Sequence, residues 1–155
     1  MDPYFRPILI SGLIVILLNT ALSLPIVGFP MISYFLGGVI AVLLFHNNRI
    51  KETQNENFET KVMDVSILGI ATGILVGSFL TLIMAINLNN PEIKQAIIDQ
   101  INEKMKMNSQ IEFNFLDDLG PSFYFIFGMV SIFFTTMVSF FGSLVTLMFV
   151  NKTKK

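Results

Sequence analysis

The side chains able to do chemistry are few and far apart. His46 is the one histidine, and the 155 residues contain no cysteine. One imidazole without thiolates or paired acids cannot complete a zinc site. The lack of thiols removes disulfides, thiolate catalysis and iron–sulfur ligation. A Ser–His hydrolase would need His46 to meet a serine and an acid at one depth. Glu52 or Glu56 could supply the acid, but no serine sits in a nucleophile-elbow context. No glycine loop with a following Lys and Ser/Thr is present to cradle phosphates. The acids Glu92, Asp99, Glu103, Glu112, Asp117 and Asp118 are scattered without calcium-loop spacing. The expectation is therefore no catalytic residue, no metal ligand and no cofactor, and a chain that is not an enzyme.

Two further polar residues stand out by position. Asp64 precedes a long apolar run, where a carboxylate suits a helix start; a proton- or cation-binding role is the alternative. Asn19 lies deep in another apolar run and is expected to hydrogen-bond to a neighbouring helix, with a substrate contact as the alternative. His46 falls just before Asn47-Asn48-Arg49 and reads as a residue at an interface.

The elements that must position these groups follow from composition. Apolar residues make up 53% of the chain and charged residues 14%, with a mean hydropathy of +0.68. Soluble domains carry roughly a quarter charged residues. Sixteen Phe and nine Met need an apolar environment, and so short a chain has too little interior to supply it. Lipid does. The net charge of −1 gives no electrostatic footprint for nucleic acid.

About 20 apolar residues cross a bilayer as a helix. Four runs qualify, at residues 7–24, 28–45, 65–86 and 122–150. The last exceeds one perpendicular crossing, so it tilts or projects. All must be helical, because lipid cannot satisfy open backbone groups. A cleaved signal peptide is the competing interpretation of the first run; Asp2 offsets Arg6 before it, which disfavours that. Spans one and two join through an uncharged Pro/Gly turn, residues 24–30, as a tight hairpin. A polar stretch, 46–61, leads to span three. The fold class expected is all-α: a polytopic membrane protein, 1–155 forming a single four-span domain of two hairpins plus one amphipathic extramembrane helix.

That helix occupies residues 91–107. Asn90 is a capping residue, Pro91 suits the first helical position and Glu92 complements the dipole. Ile93, Ile97, Ile101 and Met105 then recur every four residues. This face either lies on the membrane surface or docks a partner protein. Residues 110–120 alternate irregularly and read as a loop back to the bilayer.

Small residues let membrane helices approach closely. Gly69, Gly73 and Gly77 form one stripe on span three. Ser33, Gly37 and Ala41 form another on span two. Span four carries Gly128, Ser131, Thr135, Ser139, Gly142, Ser143 and Thr146. Internal packing is the expected use; a homo-oligomer interface and the lining of a solute path are alternatives. Phe133, Phe134, Phe140 and Phe141 are expected to meet lipid or fill gaps. A faint repeat pairs Ser11-Gly12 with Thr72-Gly73 and Tyr34-Phe35-Leu36-Gly37-Gly38 with Tyr124-Phe125-Ile126-Phe127-Gly128, which suggests hairpins related by a pseudo-twofold axis.

Charge sets the expected orientation. Four spans place both termini and the 46–61 segment on one side. Arg6, Arg49, Lys51, Lys61, Lys152, Lys154 and Lys155 fall there, against Lys94, Lys104 and Lys106 opposite. Positive residues stay inside, so both termini are expected in the cytoplasm and 87–121 outside the cytoplasmic (inner) membrane. The terminal lysines also suit anionic headgroups.

Asn90-Pro91-Glu92-Ile93-Lys94-Gln95-Ala96-Ile97, followed by Phe125-Ile126-Phe127-Gly128 and the basic end, resembles a family of small four-span membrane proteins common in Bacteroidota. The resemblance covers nearly the whole chain, with a shorter Met/Glu-rich extension after Met107. That family has no assigned activity, so the resemblance implies no catalytic residue. Two functions remain open: a structural, interaction or accessory protein whose partners are the bilayer and another membrane protein or a second copy, or a small transporter or channel component for a neutral or apolar solute.

Overall fold

The computed structural model describes residues 2–21, 29–54, 58–92, 95, 99 and 121–151. Four long helices account for nearly all of them: α1 (Phe5–Ala21), α2 (Phe29–Thr53), α3 (Val62–Leu88) and α4 (Pro121–Val150). There are no strands among the described residues, and the fold is all-α. α2, α3 and α4 are long and apolar enough to cross a membrane, and α1 is a shorter apolar helix. The 30 residues of α4 measure about 45 Å at 1.5 Å each, beyond the roughly 30 Å of a hydrocarbon core.

The expected runs 65–86 and 122–150 fall inside α3 and α4, and the described parts of 7–24 and 28–45 fall inside α1 and α2, residues 22–24 and 28 lying outside the described residues. α2 does not end with its apolar run near Phe45 but continues two turns to Thr53. Asn47, Asn48, Arg49, Lys51 and Glu52 carry no Gly or Pro to stop it, and Thr53 bonds back to the Arg49 carbonyl at 2.6 Å. The helix stops at Gln54, whose φ of 50° is left-handed. The 24–28 turn lies outside the described residues.

Local signals explain where α3 begins. Asp64 accepts the Lys61 amide at 3.0 Å, which satisfies a donor left open at the helix start. The segment after α3 opens as the sequence indicates: Asn90 accepts the Glu92 amide at 3.0 Å. Pro91, Glu92, Gln95 and Asp99 are helical, and Gln95 donates to Asp99 one turn on, at 3.1 Å. Ile93, Ile97, Ile101 and Met105 lie outside the described residues.

Successive helices alternate in direction. Asn19 of α1 meets Ser33 of α2, while Val15 meets Gly37. Tyr4 and Ser11 reach Asp64 and Thr72, so α1 and α3 are parallel. Gly77 and Gly69 of α3 lie against Ile132 and Phe140 of α4, in antiparallel order. α3 packs most extensively on α4, α2 touches all three other helices, and α1 and α4 do not touch. The cross-section is a rhombus with α1 and α4 at its far corners.

The bundle is apolar outside. Leu17, Met63, Leu82, Phe125, Phe133, Phe149 and Met148 are more than half exposed. Inside, Ala41, Val42, Phe45, Val65, Leu68 and Val150 form one core cluster, and Val15, Ile16 and Val76 a second. Interspersed with them are buried hydroxyls, among them Ser11, Thr72, Thr135, Ser139 and Ser143. An apolar exterior around a partly polar interior suits lipid as solvent.

Candidate functional site

The small residues of α3 face α4. A methyl added at Gly69 would fall 2.8 Å from the Phe140 Cα, and one at Gly77 would fall 2.7 Å from the Ile132 Cα. At Gly73 it would meet the Thr136 backbone. Only a residue without a side chain permits this approach. Thr135 sits in the seam with its hydroxyl 3.0 Å from the carbonyls of Gly73, Ser131 and Ile132. Its single proton is shared among them, so the cross-helix bond competes with bonds inside α4.

The span-two stripe divides its work. Gly37 faces Val15 and Thr72, toward α1 and α3. Ser33 accepts from Asn19 at 2.8 Å, and Ala41 belongs to the core. The contact with α4 is made by Gly38, which lies on Ser139, while Gly142 lies on the Phe35 carbonyl. The sequence stripe missed Gly38. The Gly37-Gly38 pair was the available signal, since neighbouring positions on a helix point about 100° apart and a helix with close partners on two sides needs a small residue for each. Gly128 rests on Thr81, and Ser131 is half-buried. Phe133, Phe134 and Phe141 are exposed, whereas Phe140 is half-buried beside Gly69.

The faint repeat is only half in register. Ser11 and Thr72, equivalent in its first half, share a hydrogen bond of 3.2 Å. In its second half, Gly38 lies on Ser139 and Ser143 rather than at the level of Gly128. The two glycines of that half are therefore displaced by about 17 Å along α4, which argues against the pseudo-twofold.

A second group of polar residues gathers at the end where α1 starts and α4 finishes. The Tyr4 hydroxyl donates to Asp64 at 2.7 Å, and its ring stacks on Phe45 with centroids 5.1 Å apart. That bond to a carboxylate, followed by burial and the charges of Asp64 and Asp2, raises the Tyr4 pKa above its ordinary 10.0. His46, expected at an interface, is 8% exposed and shares a 2.9 Å hydrogen bond with Thr60. The Thr60 carbonyl accepts from Asn151 at 3.1 Å. Arg49 lies 5.5 Å over the Phe58 ring and pairs with Glu52 at 3.4 Å. These contacts tie both chain ends and the α2–α3 connection together.

His46 is thus joined to Thr60, whose carbonyl in turn accepts from Asn151. Asp64 is joined to Tyr4 and a backbone amide. Among the described residues no three of His, Asp or Glu converge on a point that could hold a metal ion. An apolar cleft of about 740 Å³ lies between α1 and α3, lined by residues such as Leu13, Ile16, Ile74, Ser78 and Leu82. Comparison with protein-family profiles, curated proteins and solved structures finds no match.

Proposed function

We propose that this protein is a non-enzymatic structural or accessory component of the cytoplasmic membrane, with both termini in the cytoplasm and residues 87–121 outside. The observation that carries this is the use made of the interior polar groups. Asn19, Ser11, Thr135 and Ser143 are engaged in helix-to-helix hydrogen bonds, and the glycine seams beside them are closed to added atoms. Such groups hold helices together and offer nothing to a substrate. The seven-to-three distribution of basic residues supports the orientation. The expected partner is another membrane protein, met through the face of Ile93, Ile97, Ile101 and Met105. The motif around Asn90-Pro91-Glu92 supports kinship with the small four-span Bacteroidota proteins.

Co-purification from native membranes tests this. A partner recovered with the unsubstituted chain is expected to be lost from the Ile97→Glu/Ile101→Glu variant, and its retention would refute that face as the contact. The apolar α1–α3 cleft favours a second function, carriage of a neutral or apolar solute.

A further inference from the structure

A polar hollow of about 270 Å³ lies between the start of α1 and the last turns of α2, lined by Asp2, Pro3, Arg6, Asn48, Lys51 and Glu52. Its depth is set by the apolar runs on either side. α1 carries no charge after Arg6, and α2 carries none before Arg49. The hollow therefore sits where hydrocarbon ends and headgroups begin.

Its charges are only partly engaged. Glu52 pairs with Arg49 at 3.4 Å but remains 60% exposed. One Asp2 oxygen accepts the Tyr4 amide at 3.0 Å, leaving the other available. Arg6 and Lys51 have no ion-pair partner among the described residues. Two unpaired cations flanking one hollow at headgroup level form a phosphate site, and basic pockets between membrane helices take lipid headgroups. Two carboxylates in the same lining make its net charge zero, which does not suit a purely anionic headgroup. The matching ligand carries a phosphate diester and, a few bonds away, a primary ammonium able to donate hydrogen bonds.

We propose that this hollow binds the phosphoethanolamine headgroup of a membrane phospholipid, with Arg6, Lys51 and the Asn48 amide on the phosphate and Asp2 and Glu52 on the ammonium. The proposal goes beyond the accessory role and needs only that the helices span a bilayer. Partner loss without lipid loss would separate the two.

Native mass spectrometry of the full chain in detergent, titrated with palmitoyl-oleoyl phosphatidylethanolamine, phosphatidylcholine and phosphatidylglycerol, reads the affinities. The ethanolamine lipid is expected to bind tightest. The choline lipid keeps the phosphate but cannot donate from its quaternary nitrogen; the glycerol lipid has no amine. The Arg6→Gln/Lys51→Gln variant is expected to weaken all three by roughly 25-fold, at about fivefold per basic residue. Asp2→Asn/Glu52→Gln is expected to erase the preference for ethanolamine over choline. Equal binding of all three lipids by the unsubstituted protein would overturn the proposal, whatever the variants do. Unchanged binding by folded Arg6→Gln/Lys51→Gln would also overturn it. Equally tight binding of water-soluble glycerophosphoethanolamine would assign the hollow to an aqueous ligand and overturn the lipid.

Discussion

Substituting Gly73 by Ala tests the α3–α4 seam at its tightest point. The added carbon would stand 2.8 Å from the Thr136 nitrogen and 2.9 Å from the Thr135 oxygen, where ordinary contact begins at 3.4 Å. Those atoms are backbone and cannot rotate aside, so the helices must separate by about 0.5–1 Å. A gap of that size forfeits a quarter to a half of the dispersion attraction of each atom pair it opens. Overpacking of this kind costs about 1–3 kcal/mol. The Thr135 bond to the Gly73 carbonyl, 3.0 Å long, is weakened as well, at about 0.6 kcal/mol for a typical interhelical bond. The expected loss is about 2–3 kcal/mol, and more for Gly73→Leu. Reversible unfolding in mixed micelles at rising dodecyl sulfate fraction measures it. Ser78→Ala, at an exposed α3 position, is the control and should stay within about 0.5 kcal/mol. A Gly73→Ala protein as stable as the control would refute the close seam and the directionality inferred from it.

Two other changes probe polar groups. The Ser139 hydroxyl is buried without a hydrogen-bond partner, so Ser139→Ala is expected to leave stability unchanged or raise it by about 1 kcal/mol; a clear loss in the same micelle titration would show a bond there. Tyr4→Phe removes the hydroxyl bonded to Asp64 and is expected to cost about 1 kcal/mol at neutral pH. Because the folded-state pKa of Tyr4 is raised above 10.0, the contact is complete below that pH and is lost as pH rises through the folded value. Melting curves of the two proteins from pH 8 upward should therefore converge in that alkaline range, and a gap that stays constant would contradict the bond.

The long apolar runs made the helices legible, because a bilayer leaves no other backbone solution. Asn19, Asp64 and the Asn90 cap were legible for a related reason: each is a polar group whose unmet hydrogen bond is costly where it sits. Gly69, Gly73 and Gly77 advertised a contact face by spacing alone. Partner identity was harder. Nothing in the Ser33-Gly37-Ala41 spacing says which neighbour it meets, and Gly38 takes α4 instead. The length of α2 beyond its apolar run is less visible, because polarity marks the end of a hydrocarbon crossing and not of a helix, and Asn47–Thr53 contains no breaker. The junction of His46 with Thr60, and of Thr60 with Asn151, joins residues 91 positions apart. A contact between isolated polar residues so distant in sequence leaves no periodic trace.

The separation of α1 from α4 bears on how the chain is assembled during synthesis. Domains emerge and fold from the N-terminus, so α1, α2 and α3 are made before α4. Since α4 docks on faces of α2 and α3 that α1 leaves open, the last helix completes the molecule without displacing the first. Order of translation and order of packing then coincide, and no earlier contact need be broken to admit a later one.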